Sequence, residues 1–279
     1  MLCESIYLRE DEGCRDVILD TYVTTKRGDM DPVPPRDAVV VLPGGAYCFL
    51  AEREGEPVAK EFLQRGFNAF VLYYSIGDKE NGGKFPRPLV DVSLAVAHLK
   101  RNAEKYNINP DRIFICGFSA GGHLAGAAGT LWHTEMAAFP GMKEYENKPC
   151  GVILAYPASS LMEYGHDTCR TLICGTAEPT EEEKMKYSLE CLVSEDTVPH
   201  FIWQTEEDNC VPVENSVLLT AALVKARVPV EYHLYPFGPH GMSTAKAEVI
   251  GYDQRNVNDH VATWVELAYQ WTQITGREN

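Results

Sequence analysis

A chain of 279 residues is long enough to bury a sizeable core, and with 45% hydrophobic and 23% charged residues it has an ordinary globular composition, which excludes disordered and fibrous readings. A formal net charge of −15 argues against nucleic acid and anionic membrane surfaces as partners. The nine cysteines are odd in number and form no C-x-x-C pair, so a disulfide framework is not expected and a reducing compartment is.

The amino terminus, Met1-Leu2-Cys3-Glu4-Ser5, places an acid early and lacks the basic and apolar regions of a signal peptide. No apolar stretch reaches the roughly 18 residues of a membrane span, so the expected location is cytoplasmic. Residues 16–25 predict an antiparallel edge ribbon, which Pro32-Val33-Pro34-Pro35 links to the sheet. Further strands are expected near 38–42, 68–74, 112–117, 150–156, 200–204 and 230–235. Helices are expected near 54–65, 88–106, 120–132, 181–192, 213–227 and 253–273. Short buried strands alternating with helices predict an α/β fold, with a mostly parallel sheet covered on both faces and one domain spanning 1–279. Residues 157–198 interrupt the alternation, and there Met162, Tyr164 and Tyr187 read as packing of a small satellite core.

The pentapeptide Gly117-Phe118-Ser119-Ala120-Gly121 is entered from the apolar run Arg112-Ile113-Phe114-Ile115-Cys116 and left through the small-residue run Gly122-His123-Leu124-Ala125-Gly126. Strand, tight turn and helix in that order lift a serine hydroxyl onto a strained elbow, which makes Ser119 the candidate nucleophile. Such a serine needs a base, an acid to orient that base, and donors for the developing oxyanion, with the chain order serine, acid, histidine. His240 fits the base, because Pro236-Phe237-Gly238-Pro239-His240-Gly241 is a turn-rich segment following a strand. His98, His123 and His260 fall on helical patterns, and His233 belongs to a strand. The acid belongs just after the strand over 200–204, where Asp208 is chosen ahead of its neighbours Glu206 and Glu207. For the oxyanion, the backbone N–H groups of Gly45 and Ala46, after the buried strand ending in Leu42-Pro43-Gly44, join that of Ala120. Neither an H-E-x-x-H nor a Walker-type loop is present, and no metal or organic cofactor is expected.

Taken with Arg53-Glu54-Gly55-Glu56-Pro57-Val58-Ala59, Tyr74-Ser75, Tyr187-Ser188-Leu189 and Asp208-Asn209-Cys210-Val211-Pro212-Val213-Glu214-Asn215-Ser216, these segments resemble the α/β-hydrolase superfamily over roughly residues 36 to 275. Within it they are similar to the esterase and lipase branch that includes carbohydrate acetylesterases of the acetylxylan esterase type. One departure is that Pro43 and Ala46 replace the outer residues of the lipase-type His-Gly-Gly-Gly motif, which affects the shape of the acyl pocket. The resemblance implies a small cap over 157–198 and a serine carboxylesterase that removes short acyl groups, acetyl above all, from carbohydrate through an acyl-enzyme. Its expected partner is a small-molecule ester such as an acetylated oligosaccharide, with Tyr47, Tyr156 and Pro157 as candidate substrate contacts. Rival readings are an arylformamidase or small peptidase that uses the same machinery on amides, and an inactive binding protein on the same fold. Oligomeric state is not legible in the sequence.

Overall fold

A computed structural model describes residues 1–9, 17–25, 33–77, 84–250 and 257–276. Burial in its central strands alternates residue by residue between two faces. In β3, after β1 (Ser5–Arg9) and β2 (Val17–Tyr22), Val39 and Val41 of Arg36–Leu42 meet one core cluster while Val40 and Leu42 meet the other. After β4 (Asn68–Tyr73), the same split recurs in β5 (Ile108–Phe118), where Phe114, Cys116 and Phe118 oppose Ile113 and Ile115. A strand buried on both faces needs an unbroken apolar run, and these strands have one.

With β6 (Gly151–Ala155), β7 (His200–Thr205) and β8 (Val230–Tyr235), the described strands form one eight-stranded sheet in the order β1-β2-β4-β3-β5-β6-β7-β8. From β4 to β8 every pairing is parallel, while β1 with β2 and β2 with β4 are antiparallel. This is the α/β-hydrolase fold. The chain leaves β3 toward β4 on one side and returns to β5 on the other, so the order reverses at the carboxyl ends of β3 and β5. Ligands of open α/β sheets bind in the crevice such a reversal opens.

Helix α1 (Glu56–Gln64) carries Pro57 in its first turn, where a missing N–H is no loss. It packs Val58, Ala59 and Phe62 on the face of Val39 and Val41. Helix α2 (Arg87–Arg101) packs Leu89, Val92, Val96 and Leu99 on the opposite face, and its last turn carries His98, Lys100 and Arg101 at the negative end of the dipole. Asn102 ends it by donating its side-chain amide to His98 O at 2.8 Å, so the single helix predicted over 88–106 is α2 followed by the separate α3 (Ala103–Tyr106). All twelve residues of α4 (Ala120–Leu131) are buried against the α2 face.

The segment between β6 and β7 carries α5 (Asp167–Cys174), which the sequence reading missed, then α6 (Glu181–Met185) and α7 (Leu189–Leu192). Thr180 and Glu183 form a capping box that starts α6. The helix predicted over 181–192 is broken because Ser188 Oγ donates to Lys184 O while Leu189 N turns to Ser159 O. Beyond α8 (Glu214–Lys225) and α9 (Ala247–Ile250), Asn258 caps α10 (Asp259–Ala262), and α11 (Trp264–Ile274) closes the Val39 face.

At the amino-terminal side, the edge strand is β1, with β2 next to it; Asp16 and Pro32 of the predicted ribbon and linker, and residues 253–256 of the last predicted helix, lie outside the described residues. Among the described residues no helix is long and apolar enough to cross a membrane.

Candidate active site

Ser119 stands where β5 meets α4 with φ 53° and ψ −116°, a conformation rare for a residue bearing a side chain. The strain is held by packing on both sides. A Cβ on Gly117 would lie 2.0 Å from Gly121 O, and one on Gly121 would lie 2.2 Å from Leu42 O, so only glycine permits the strand, elbow and helix to close this tightly. Ser119 N also donates to Ala155 O at 3.0 Å, tying the elbow to β6.

The loop after β8 brings His240 to the elbow, across 121 residues of sequence. Its Nε2 lies 2.9 Å from Ser119 Oγ, and its Nδ1 lies 2.7 Å from Asp208 Oδ2. A carboxylate accepts only, so Nδ1 carries the proton and Nε2 is left with a lone pair for the serine O–H. Asp208 is itself fixed: Oδ1 accepts from Cys210 N and Val211 N, both at 2.9 Å, and Oδ2 also accepts from Gln204 Nε2 at 3.3 Å. Its side chain is fully buried. Of the three acids weighed in the sequence, Asp208 is the one that meets the imidazole; Glu206 and Glu207 are exposed, and Glu207 accepts from Gly238 N instead.

After β3 the backbone turns sharply through positive φ at Gly45, Ala46 and Tyr47. Among the described residues the N–H groups of Gly45 and Ala46 make no hydrogen bond, while the preceding one, Gly44 N, donates to Glu54 Oε2 at 2.8 Å. Ala120 N opens α4, where a first-turn N–H has no partner in its own helix and the dipole is positive. The turn after β3 packs on the elbow at Gly44, where an added Cβ would lie 2.9 Å from Ser119 Cβ, and N–H groups left without a partner are the kind of donor that a carbonyl oxygen gaining charge requires.

Glu54 is a site residue that the sequence reading quoted but gave no role. It is buried; besides Gly44 N it accepts from Tyr156 Oη at 2.8 Å, and Tyr156 Oη in turn accepts from Ser243 N at 2.9 Å. One carboxylate thus joins the turn after β3, the end of β6 and the loop beyond His240. Tyr156 also sets its ring edge-on to His240 at 4.9 Å between centroids.

The tyrosine hydroxyls among the expected substrate contacts are already engaged within the protein. Tyr156 is only 2% exposed, with its hydroxyl engaged on both sides, and it packs against the histidine. Tyr47 is equally buried, and its hydroxyl donates to His123 Nδ1 at 2.8 Å while His123 Nε2 donates to Tyr187 O at 2.8 Å. Burial pushes the His123 pKa down to about 4, so this imidazole stays neutral and serves as a link between the elbow helix and the 157–198 segment. Pro157 is buried too, packed beside Gly122. Tyr187, read as packing, lies 5.1 Å from Phe85 between ring centroids. In the same segment His166, half-buried at the start of α5, has its pKa lowered, first by burial and then by its proximity to the His240 imidazole.

A cavity of about 450 Å³ lined by Trp132, His133, Tyr145 and Asp196 lies beyond the carboxyl end of α4 and holds none of these groups. Among the described residues no group of three or more His, Cys, Asp or Glu is placed to hold a metal ion.

The BD-FAE family model matches residues 19–223. The chain is 42% identical over 214 residues to endo-1,4-beta-xylanase B of Butyrivibrio fibrisolvens, covering 76% of this chain and 33% of that protein. It is 30% identical over 215 residues to the acetylxylan esterase of Xylanibacter ruminicola, covering 75% of this chain and 41% of that one. It therefore spans less than half the length of either relative. A solved structure similar throughout is the acetyl ester-xyloside bifunctional hydrolase from Caldicellulosiruptor lactoaceticus, at 32% identity and a TM-score of 0.81, covering 97% of this chain and 95% of that one.

Proposed function

The chain belongs to the BD-FAE family, and on that premise we propose that it is a carboxylic ester hydrolase acting through an acyl-enzyme on Ser119. The observation that carries the reading is the unbroken line of hydrogen bonds from Asp208 through His240 to Ser119. His240 Nε2 takes the serine proton as Oγ attacks the ester carbonyl, and Asp208 steadies the imidazolium that forms. Gly45, Ala46 and Ala120 N–H groups stabilise the oxyanion. On collapse of the tetrahedral intermediate His240 returns the proton to the departing alcohol, leaving Ser119 acylated. Water, deprotonated by the same imidazole, then releases the acid and restores the serine hydroxyl.

The substrate we propose is a short acyl ester of carbohydrate, acetyl in the first place. Two similar proteins, an acetylxylan esterase and an acetyl ester-xyloside hydrolase, support this class. The xylanase of similar sequence is a protein of which the chain spans only 33%, so its named activity is not carried over. The segment 157–198, with its three short helices, is proposed as a cap over the one domain. Asn215 of α8 anchors it, accepting from Ser160 N at 2.8 Å and donating to Tyr164 O at 2.9 Å.

Chain-length preference tests the reading. Each added methylene gains at most about 0.8 kcal/mol of burial, and only while room remains. In a site roofed by a compact cap, further length crowds packed side chains. Acetate and propionate esters are expected to be cleaved best, with kcat/KM falling steeply by about eight carbons in a p-nitrophenyl ester series. Octanoate cleaved faster than acetate would overturn the acetylesterase reading.

A further inference from the structure

The geometry points to Arg53 as a subsite for a carboxylate carried on the alcohol half of the ester, such as an acidic sugar unit next to the acetylated one; this rests on the esterase reading of the Ser119 site. His240 must hand its proton to the leaving oxygen, so the alcohol departs on the His240 side. On that side lies a cavity of about 150 Å³ lined by Arg53, His240, Gly241, Met242, Val249 and Ile250. The guanidinium lies against Gly241, the residue after the histidine, so closely that a Cβ there would come within 2.5 Å of Nη2.

Arg53 is exposed, and among the described residues its guanidinium makes no hydrogen bond or ion pair. Several other arginines of this acidic chain are matched with acids: Arg9 with Asp91, Arg65 with Glu61, Arg101 with Glu146 and Arg112 with Asp37. Arg53 is nevertheless not loosely placed at its backbone. Ser243 Oγ donates to Arg53 O at 2.6 Å, and the next residue is the buried Glu54. A planar fork of donors, held at the alcohol side of the nucleophile and lacking an internal acid, matches a carboxylate in geometry and charge. The overall charge of −15 disfavours a polyanion, while one carboxylate meeting one arginine is compatible with it.

The test compares kcat/KM for acetylated xylo-oligosaccharides with and without a uronic acid substituent, in the wild type, Arg53→Gln and Arg53→Lys. The wild type is expected to favour the acidic substrate by about ten-fold, through KM, as for one exposed charge-assisted contact. Arg53→Gln should abolish that ratio, Arg53→Lys should retain part of it, and raising the salt concentration should erode it only where a cation remains. A merely structural arginine would change both substrates alike and leave the ratio and its salt dependence as they were, which would overturn the proposal. Inhibition of p-nitrophenyl acetate hydrolysis by glucuronate and by xylose separates the two levels of inference. If acetylated oligosaccharides are not cleaved but glucuronate inhibits more strongly than xylose in an Arg53-dependent way, the carbohydrate reading fails and the carboxylate subsite stands. Equal inhibition by the two sugars, in wild type and Arg53→Gln alike, sinks the subsite whatever the natural ester.

Discussion

Ser119→Ala and His240→Ala are each expected to lower kcat for p-nitrophenyl acetate by roughly 10⁴- to 10⁶-fold, and the double substitution to lower it little further. The reason lies in the 2.9 Å contact between them: without the imidazole the hydroxyl keeps its proton, and without the hydroxyl the imidazole has nothing to activate. Either loss leaves only the backbone donors at Gly45, Ala46 and Ala120 and whatever binding the cavity provides. Steady-state kinetics of the two single variants and the double variant measure this directly. Losses that multiply would show two groups acting independently, and the pair would then be misassigned.

Asp208→Asn is expected to lower kcat by on the order of 10³- to 10⁴-fold with little change in KM. Asparagine preserves the shape but can present an N–H to His240 Nδ1, which turns the imidazole to the tautomer whose Nε2 carries the proton and cannot accept from Ser119. The loss should be kinetic more than structural, because the side-chain oxygen can still accept from Cys210 N and Val211 N. Glu206→Gln and Glu207→Gln serve as controls, since both side chains are exposed and neither meets the imidazole. A larger loss from either of them than from Asp208→Asn would move the acid elsewhere.

The parts of the fold and site that were legible in the sequence are those whose signal is local. An elbow serine between close-packed glycines must be written Gly-x-Ser-x-Gly, and a central strand such as Val39-Val40-Val41-Leu42 must be apolar on both faces, so both can be read without knowing their neighbours. Features set by distant contacts could not. Glu54 sits in Arg53-Glu54-Gly55-Glu56, which looks like a solvated charged turn, yet it is buried and bonded to Gly44 N and to Tyr156, 102 residues away. Tyr47 follows the Gly44-Gly45-Ala46 turn and so looks available to a sugar, yet His123, 76 residues further on, bonds its hydroxyl inside the protein. Strand β1 reads as a half-exposed polar stretch, and it becomes a strand by pairing with Ile18, Leu19 and Asp20. The helix breaks at Asn102 and Ser188 likewise depend on side-chain bonds to nearby carbonyls, which the hydrophobic periodicity does not record.

All of these elements converge on the claim that Ser119 is the nucleophile activated by His240. Treatment with a fluorophosphonate, followed by peptide mapping by mass spectrometry, tests it without assuming any natural substrate. Stoichiometric phosphonylation is expected on the peptide containing Ser119, with no labelling of Ser119→Ala and labelling slowed by orders of magnitude in His240→Ala. Phosphonylation of a different residue, or an unlabelled wild-type protein that still hydrolyses p-nitrophenyl acetate, would contradict it.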